Sequence, residues 1–96
     1  MQHNLKIERQ WFEAVVSGAK KAEVRRTDRP FSVGDSLMLY VPGENDGVLV
    51  TVTHILSLSE IADLDGASSY AVLSFADPRP MSGQELIHQL MLGNDT

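Results

Sequence analysis

Polar and apolar residues alternate over residues 3–7, a period-two pattern that predicts a short strand with Leu5 and Ile7 turned inward. The period then changes. Trp11, Phe12, Val15 and Val16 fall at i, i+1, i+4 and i+5, one apolar stripe on a helix over residues 9–17 that packs into the core. Gly18 stands where a left-handed C-cap ends that helix. Residues 21–27 return to alternation, with Ala22 and Val24 on one face and Lys21, Glu23 and Arg25 on the other.

Asp28, Arg29 and Pro30 break this strand, and Val33, Gly34 and Asp35 make a tight turn before another strand over residues 36–41. The polar loop 42–47 joins it in a hairpin to a long strand over residues 48–56. Ser59 reads as the N-cap of one helical turn over residues 59–64, ended by Asp65 and Gly66. A further strand covers residues 70–75, and Asp77, Pro78, Arg79 and Pro80 interrupt regular structure. Ser82 and Glu85 have the spacing of a capping box, opening a helix over residues 82–92 whose apolar face is Leu86, Leu90 and Met91. Gly93, Asn94, Asp95 and Thr96 read as a frayed end. Five or so short strands with a helix after the first, in 96 residues, imply an α+β fold. The expectation is a small mixed β-barrel of about five to six strands with flanking helices, one domain spanning residues 1–96.

Composition sharpens this picture in three places. Aromatics are few, so Trp11, Phe12, Phe31, Tyr40, Tyr70 and Phe75 are the large pieces of a core otherwise built from Val, Leu, Ile, Ala and Met. Cysteine is absent, which excludes a disulfide framework and a thiolate zinc site. His3, His54 and His88 lack the helical i, i+4 spacing of a metal pair, so neither a metal nor another cofactor is expected. The first residues do not form a signal peptide, and no apolar run approaches the roughly 18 residues needed to cross a bilayer. The expectation is a soluble, cytoplasmic protein without a membrane partner. The helix over residues 82–92 has enough Leu and Met to pack on the barrel or on a second copy, which leaves a homodimer open.

The formal charge of −5 argues against strong nonspecific binding to nucleic acid, which depends on neutralising many phosphates. Yet Lys20, Lys21, Arg25, Arg26 and Arg29 lie within one short segment, and from Gly43 onward Arg79 is the only basic residue. A polyanion would meet one local patch. Within it, Glu23 and Arg25 are two apart on a strand and project the same way, while Lys20 leaves the preceding turn and reaches over them. A carboxylate between two cations stays ionised and orients their remaining donors toward a phosphate, a carbonyl or a base edge. The alternative is a solvated strand face with ordinary ion pairs, each worth well under about 1 kcal/mol. Tyr40 and Tyr70 are read as core with wet hydroxyls rather than as stacking platforms.

Gly18, Lys20, Glu23 and Arg25 match the GxKxxExR signature, and here the chain resembles the ASCH group of the PUA-like superfamily. The likeness extends through His3, Leu5 and Lys6; Phe12, Glu13, Ala14 and Val15; Asp28, Arg29 and Phe31; and Gly34, Asp35 and Leu37. In these residues the chain is similar to the bacterial and phage branch called DUF3850, from His3 to about Phe75. The resemblance implies a PUA-like β-barrel with a cleft between the first helix and the barrel, lined by Lys20, Glu23 and Arg25. PUA-like relatives bind RNA or modified bases, and one hydrolytic branch removes the acetyl group of N4-acetylcytidine.

The chain departs from that hydrolytic branch in carrying Glu23 where those enzymes have a hydroxyl residue. It also shortens a helical insertion to residues 59–66. The expected function is therefore an RNA-, nucleoside- or nucleotide-binding module. Lys20, Lys21, Glu23, Arg25, Arg26 and Arg29 are its candidate ligand residues, the last two as a cationic rim. The alternatives are a small amidohydrolase, with Lys20 as the polarising or nucleophilic group, Glu23 as general base and Arg25 as anion clamp, or a protein-interaction module.

Overall fold

A computed structural model of the chain describes residues 1–95. Its elements are β1 (Gln2–Lys6), α1 (Arg9–Ser17), β2 (Ala22–Arg26), β3 (Ser36–Tyr40), β4 (Asp46–Ser57), β5 (Tyr70–Ser82) and α2 (Gly83–Leu92). Short 3-10 turns, Leu58–Glu60 and Ala67–Ser69, separate β4 from β5. The five strands form one curled sheet in the order β1-β3-β4-β5-β2. β1 runs parallel to β3 and every other pairing is antiparallel. The α+β class and strand number expected from the sequence are what the chain forms, with the small barrel curled into a half-barrel.

α1 packs its Phe12 and Val15 into the main core, with Leu37, Leu39, Val48, Val50, Val52, Leu73 and Phe75 from the sheet. The apolar stripe is narrower than its sequence suggests. Trp11 is 47% and Val16 38% exposed, because only one position per turn of this nine-residue helix faces the barrel. The opposite face of the sheet is covered by α2, where Met38, Met81 and Leu86 form a second cluster. β3 is thus buried on both sides, which accounts for its unbroken Leu37, Met38, Leu39 run. Asn4 in β1 is buried under α2, and His3 on the other face is buried against Asp35 and Phe31, against the expectation that only Leu5 and Ile7 would turn inward. Met91 of the expected apolar face stays exposed.

Three local expectations are corrected by tertiary pairing. β5 does not stop at Phe75 but continues through Pro78 and Pro80, with Pro80 opposite Val48. Beyond Phe75 it pairs with β4 alone, so prolines without N–H donors are tolerated where its other side is free. Asp77 and Pro78 form a bulge there, with Asp77 in the left-handed region at φ 57. The capping box of α2 does not form: Ser82 makes no side-chain cap, and the Gly83 N–H donates to Asn45 Oδ1 instead at 3.1 Å. The capping box of the preceding turn belongs to Ser57 and Glu60 rather than to Ser59.

The C-terminal residues are pinned as far as they are described; Thr96 lies outside. Asn94 pairs with β1 through Asn4 N–H to Asn94 O and Asn94 N–H to Gln2 O, each 2.9 Å. Asn4 Nδ2 donates to the Leu90 carbonyl at 2.7 Å, tying the last turn of α2 to the same strand. A Cβ at Gly93 would fall on the Asn4 amide, so the close approach requires glycine.

Beneath β1, His3 Nε2–H donates to Asp35 Oδ2 at 2.8 Å, and Asp35 also accepts from the Ser32 N–H at 2.9 Å and the Met1 amine at 3.2 Å. Burial pushes the Asp35 carboxyl up, but these partners outweigh it and the net shift is downward from 3.8. A carboxylate depressed in the folded state stabilises above its ordinary pKa, and that contribution is lost as pH falls through the lowered value. Asp35→Asn is therefore expected to flatten the acid limb of the stability curve below about pH 4, read by urea unfolding across pH. Leu73, fully buried at the centre of the core, is expected to cost about 2–5 kcal/mol as Leu73→Ala in the same assay.

Candidate functional site

The left-handed Gly18, φ 84, closes α1 with its N–H on the Val15 carbonyl at 3.1 Å. The chain then folds back, and the Lys20 N–H bonds the Ala14 carbonyl at 3.0 Å. These bonds fix where the Lys20 side chain starts. One residue later the Lys21 carbonyl accepts from the Phe75 N–H at 3.0 Å, bringing the chain onto β5. β2 then pairs in a register that sets Glu23 against Leu73 and Arg25 against Ala71.

Lys20, Glu23 and Arg25 come together. Lys20 Nζ lies 3.0 Å from Glu23 Oε1, while Arg25 Nη2 and Nε lie 3.0 and 3.1 Å from Glu23 Oε2. The carboxylate is the most buried of the three, 12% exposed against 26% for Lys20 and 25% for Arg25. Two features were not legible in the sequence. Arg25 Nη2 also donates to the Lys6 carbonyl, bridging from β2 to β1. Lys20 Nζ stands 5.4 Å from the centre of the exposed Trp11 ring, so the helix contributes an aromatic surface to this corner. The signal for Trp11 was its position at the edge of an apolar stripe on a short helix.

Glu23 and Arg25 are half-buried, while Val24 is 55% exposed. Because β2 is an edge strand lying over an open part of the half-barrel, its charged side turns inward. The remaining candidates do not join the cluster. Lys21 is exposed beside a hollow of about 260 Å³ between α1 and β5, whose rim includes Lys20, Phe75 and Asp77. Arg26 is exposed. Arg29 Nη1 donates to the Asn94 carbonyl at 3.0 Å, its guanidinium lies 6.0 Å from the Phe31 ring centre, and Nη2 is buried without a partner. Tyr70, expected in the core, is 38% exposed and lines a depression with Arg25 and Arg26.

Elsewhere, Arg9 is clamped by Asp46 at 2.8 Å and Glu44 at 2.9 Å, which hold it charged and engaged. Among the described residues no group of three or more His, Cys, Asp or Glu side chains is placed to hold a metal, and no helix is long and apolar enough to cross a membrane.

A curled five-stranded sheet with α1 in its hollow and α2 behind it is an ASCH-type fold. The crystal structure of ASCH from Zymomonas mobilis superposes with a TM-score of 0.64 at 13% identity, covering 97% of this chain and 80% of that one. A Ser-to-Ala mutant of that protein gives 0.65 at 14% identity, covering 97% and 81%. The chain belongs to the DUF3850 family, described as a domain of unknown function, which it matches over residues 2–75. It is also 36% identical over 62 residues to an uncharacterized 12.9 kDa protein in the GpA 3′ region of Escherichia phage P2. That match takes in 60% of this chain and 57% of the phage protein, so this chain spans little more than half the length of that relative.

Removing the charge of Glu23 would leave two half-buried cations without their shared partner. Glu23→Gln is expected to lower unfolding free energy by about 1–3 kcal/mol, measured by urea denaturation at low salt.

Proposed function

We propose that this protein is an RNA-binding module that takes one nucleotide at the Lys20–Glu23–Arg25 cluster. The observation that carries the reading is the carboxylate held between two cations at 3.0 Å each, on half-buried side chains. Fixing those cations in advance removes part of the ordering cost of binding. The fold supports the reading at the level of class, since PUA-like relatives bind RNA or modified bases. In this reading Lys20 and Arg25 meet phosphate or carbonyl oxygens, and Glu23 holds them and accepts from a donor edge of the base. Recognition of one nucleotide needs few phosphate contacts, which agrees with a formal charge of −5.

Both Glu23 oxygens already accept from cations. That suits a carboxylate that positions its neighbours better than one that takes a proton from water, and favours binding over amide hydrolysis. The test is NMR chemical-shift mapping against nucleosides, nucleotides, N4-acetylcytidine and short RNAs, with product formation followed in the same samples. Shifts centred on Lys20, Glu23 and Arg25 are expected, with affinity falling about ten- to a hundredfold in Lys20→Ala. Deacetylation abolished by Lys20→Ala would replace the binding reading with the hydrolase. Silence across the panel would overturn both.

A further inference from the structure

β1 and β2 are the two ends of the strand order, and no ladder joins them. The half-barrel is therefore open along a seam between these edges, spanned by the bond from Arg25 to the Lys6 carbonyl. Two depressions flank that bond, of about 260 and 380 Å³, and both are lined by Leu5 and Arg25. A third, of about 360 Å³, shares Asp28 and Arg29 with the first and Asp95 with the second. The three depressions lie side by side along the seam and share these walls.

Four of the chain's eight basic residues line it: Lys6, Arg25, Arg26 and Arg29. Among the described residues the acids lining it are Asp28 and Asp95, and Arg25 is itself paired with Glu23. In a protein of charge −5, this concentration of cations is the opposite of the average surface. Aromatic side chains stand along the same path: Tyr40 in the depression beside Lys6, and the exposed Tyr70 beside Arg26. Neither Lys6 nor Arg26 makes an ion pair among the described residues, so both ammonium and guanidinium are available. Cations spaced along an open groove with aromatic rings between them are the two parts of a single-strand binding surface: charge that follows the phosphates and faces on which bases stack.

We infer that the β1–β2 seam is a second subsite that carries the backbone of single-stranded RNA away from the Lys20–Glu23–Arg25 cluster. The ligand is then an oligonucleotide rather than a free nucleotide. This rests on the nucleotide reading above, with Arg25 as the residue common to both subsites. Lys6 and Arg26 meet successive phosphates, and Tyr70 and Tyr40 present ring faces to the bases. The groove's length is limited by the small barrel, so only a few nucleotides beyond the first are contacted.

The experiment compares the four ribonucleoside monophosphates with a mixed-sequence RNA of about eight nucleotides, a length within the range that small barrels cover. Binding to the wild type, Lys6→Gln/Arg26→Gln and Lys20→Gln is measured over a range of salt. The RNA is expected to bind at least tenfold more tightly than the monophosphates. The double variant is expected to lose most of that advantage, its RNA affinity falling several-fold more than its monophosphate affinity. Its plot of log affinity against log salt should flatten by about 1.4, at about 0.7 for each phosphate that is no longer neutralised. Lys20→Gln should weaken both ligands. Affinity indifferent to RNA length, or undisturbed in the double variant, would overturn the seam subsite while leaving the nucleotide reading intact. RNA binding that depends on Lys6 and Arg26 but not on Lys20 would overturn the nucleotide reading and the continuous path with it. Absence of binding by every ligand would overturn both. Circular dichroism and unfolding midpoints equal to the wild type confirm that the exposed Lys6 and Arg26 were replaced without disturbing the fold.

Discussion

Everything at the open side of this molecule depends on one guanidinium. The sheet ends in two edge strands, β1 and β2, that approach without pairing, and Arg25 is the side chain that reaches across. Its planar fork serves two acceptors at once, the Glu23 carboxylate and the Lys6 carbonyl. A lysine has neither the spread nor the fixed geometry to do this. With Arg25 anchored, Glu23 is drawn to one side of it, and the other carboxylate oxygen is left for Lys20. A break in the backbone ladder is thus converted into an ordered set of charges, which is the usual way for an exposed sheet edge to be protected from pairing with another chain.

The second constraint is that a chain of 96 residues must cover both faces of its sheet. α1 covers one and α2 the other, and the central strand β3 is buried between them. That demand explains the polar residues inside. His3 and Asn4 are buried on opposite faces of β1, and each has a partner elsewhere in the chain: Asp35 for His3, the Leu90 carbonyl of α2 for Asn4. A buried polar group with such a partner fixes the register of β1 more narrowly than an apolar residue could. The C-terminal segment follows from the same bonds, since Asn94 extends the pairing begun by Asn4.

What was legible in the sequence was local. The helix over Arg9–Ser17, its Gly18 cap and the hairpin between β3 and β4 need only periodicity and turn chemistry, and all appear as expected. The Lys20, Glu23 and Arg25 grouping was equally readable, because two residues on a strand and one on the turn before it cannot avoid one another. What was not legible depended on partners distant in sequence. Pro78 and Pro80 read as breakers until β5 is seen to have an unpaired side there. Trp11 and Val16 read as core until the single line along which α1 meets the barrel is known. Ser82 and Glu85 have the right spacing for a capping box, yet Asn45 from the hairpin loop takes the place of the cap. In each case a local preference was overruled by a tertiary partner that pattern reading does not contain.

On the proposed reading, the charge distribution reconciles an acidic protein with a polyanionic ligand. Exposed charges act over a Debye length of about 8 Å at physiological salt. A nucleotide at the Lys20–Arg25 corner therefore feels the cations within that radius far more than acids on the remote surface. Arg9, withdrawn into its pair with Asp46 and Glu44, adds nothing to this corner, whereas Lys6 and Arg26 are unpaired on its flank. As a bound strand lengthens beyond the groove, each further phosphate meets a surface of the same sign as itself, and the gain per nucleotide changes sign. On the proposed reading the ligand has an upper as well as a lower limit: long enough to cross the seam, and too short to wrap the barrel.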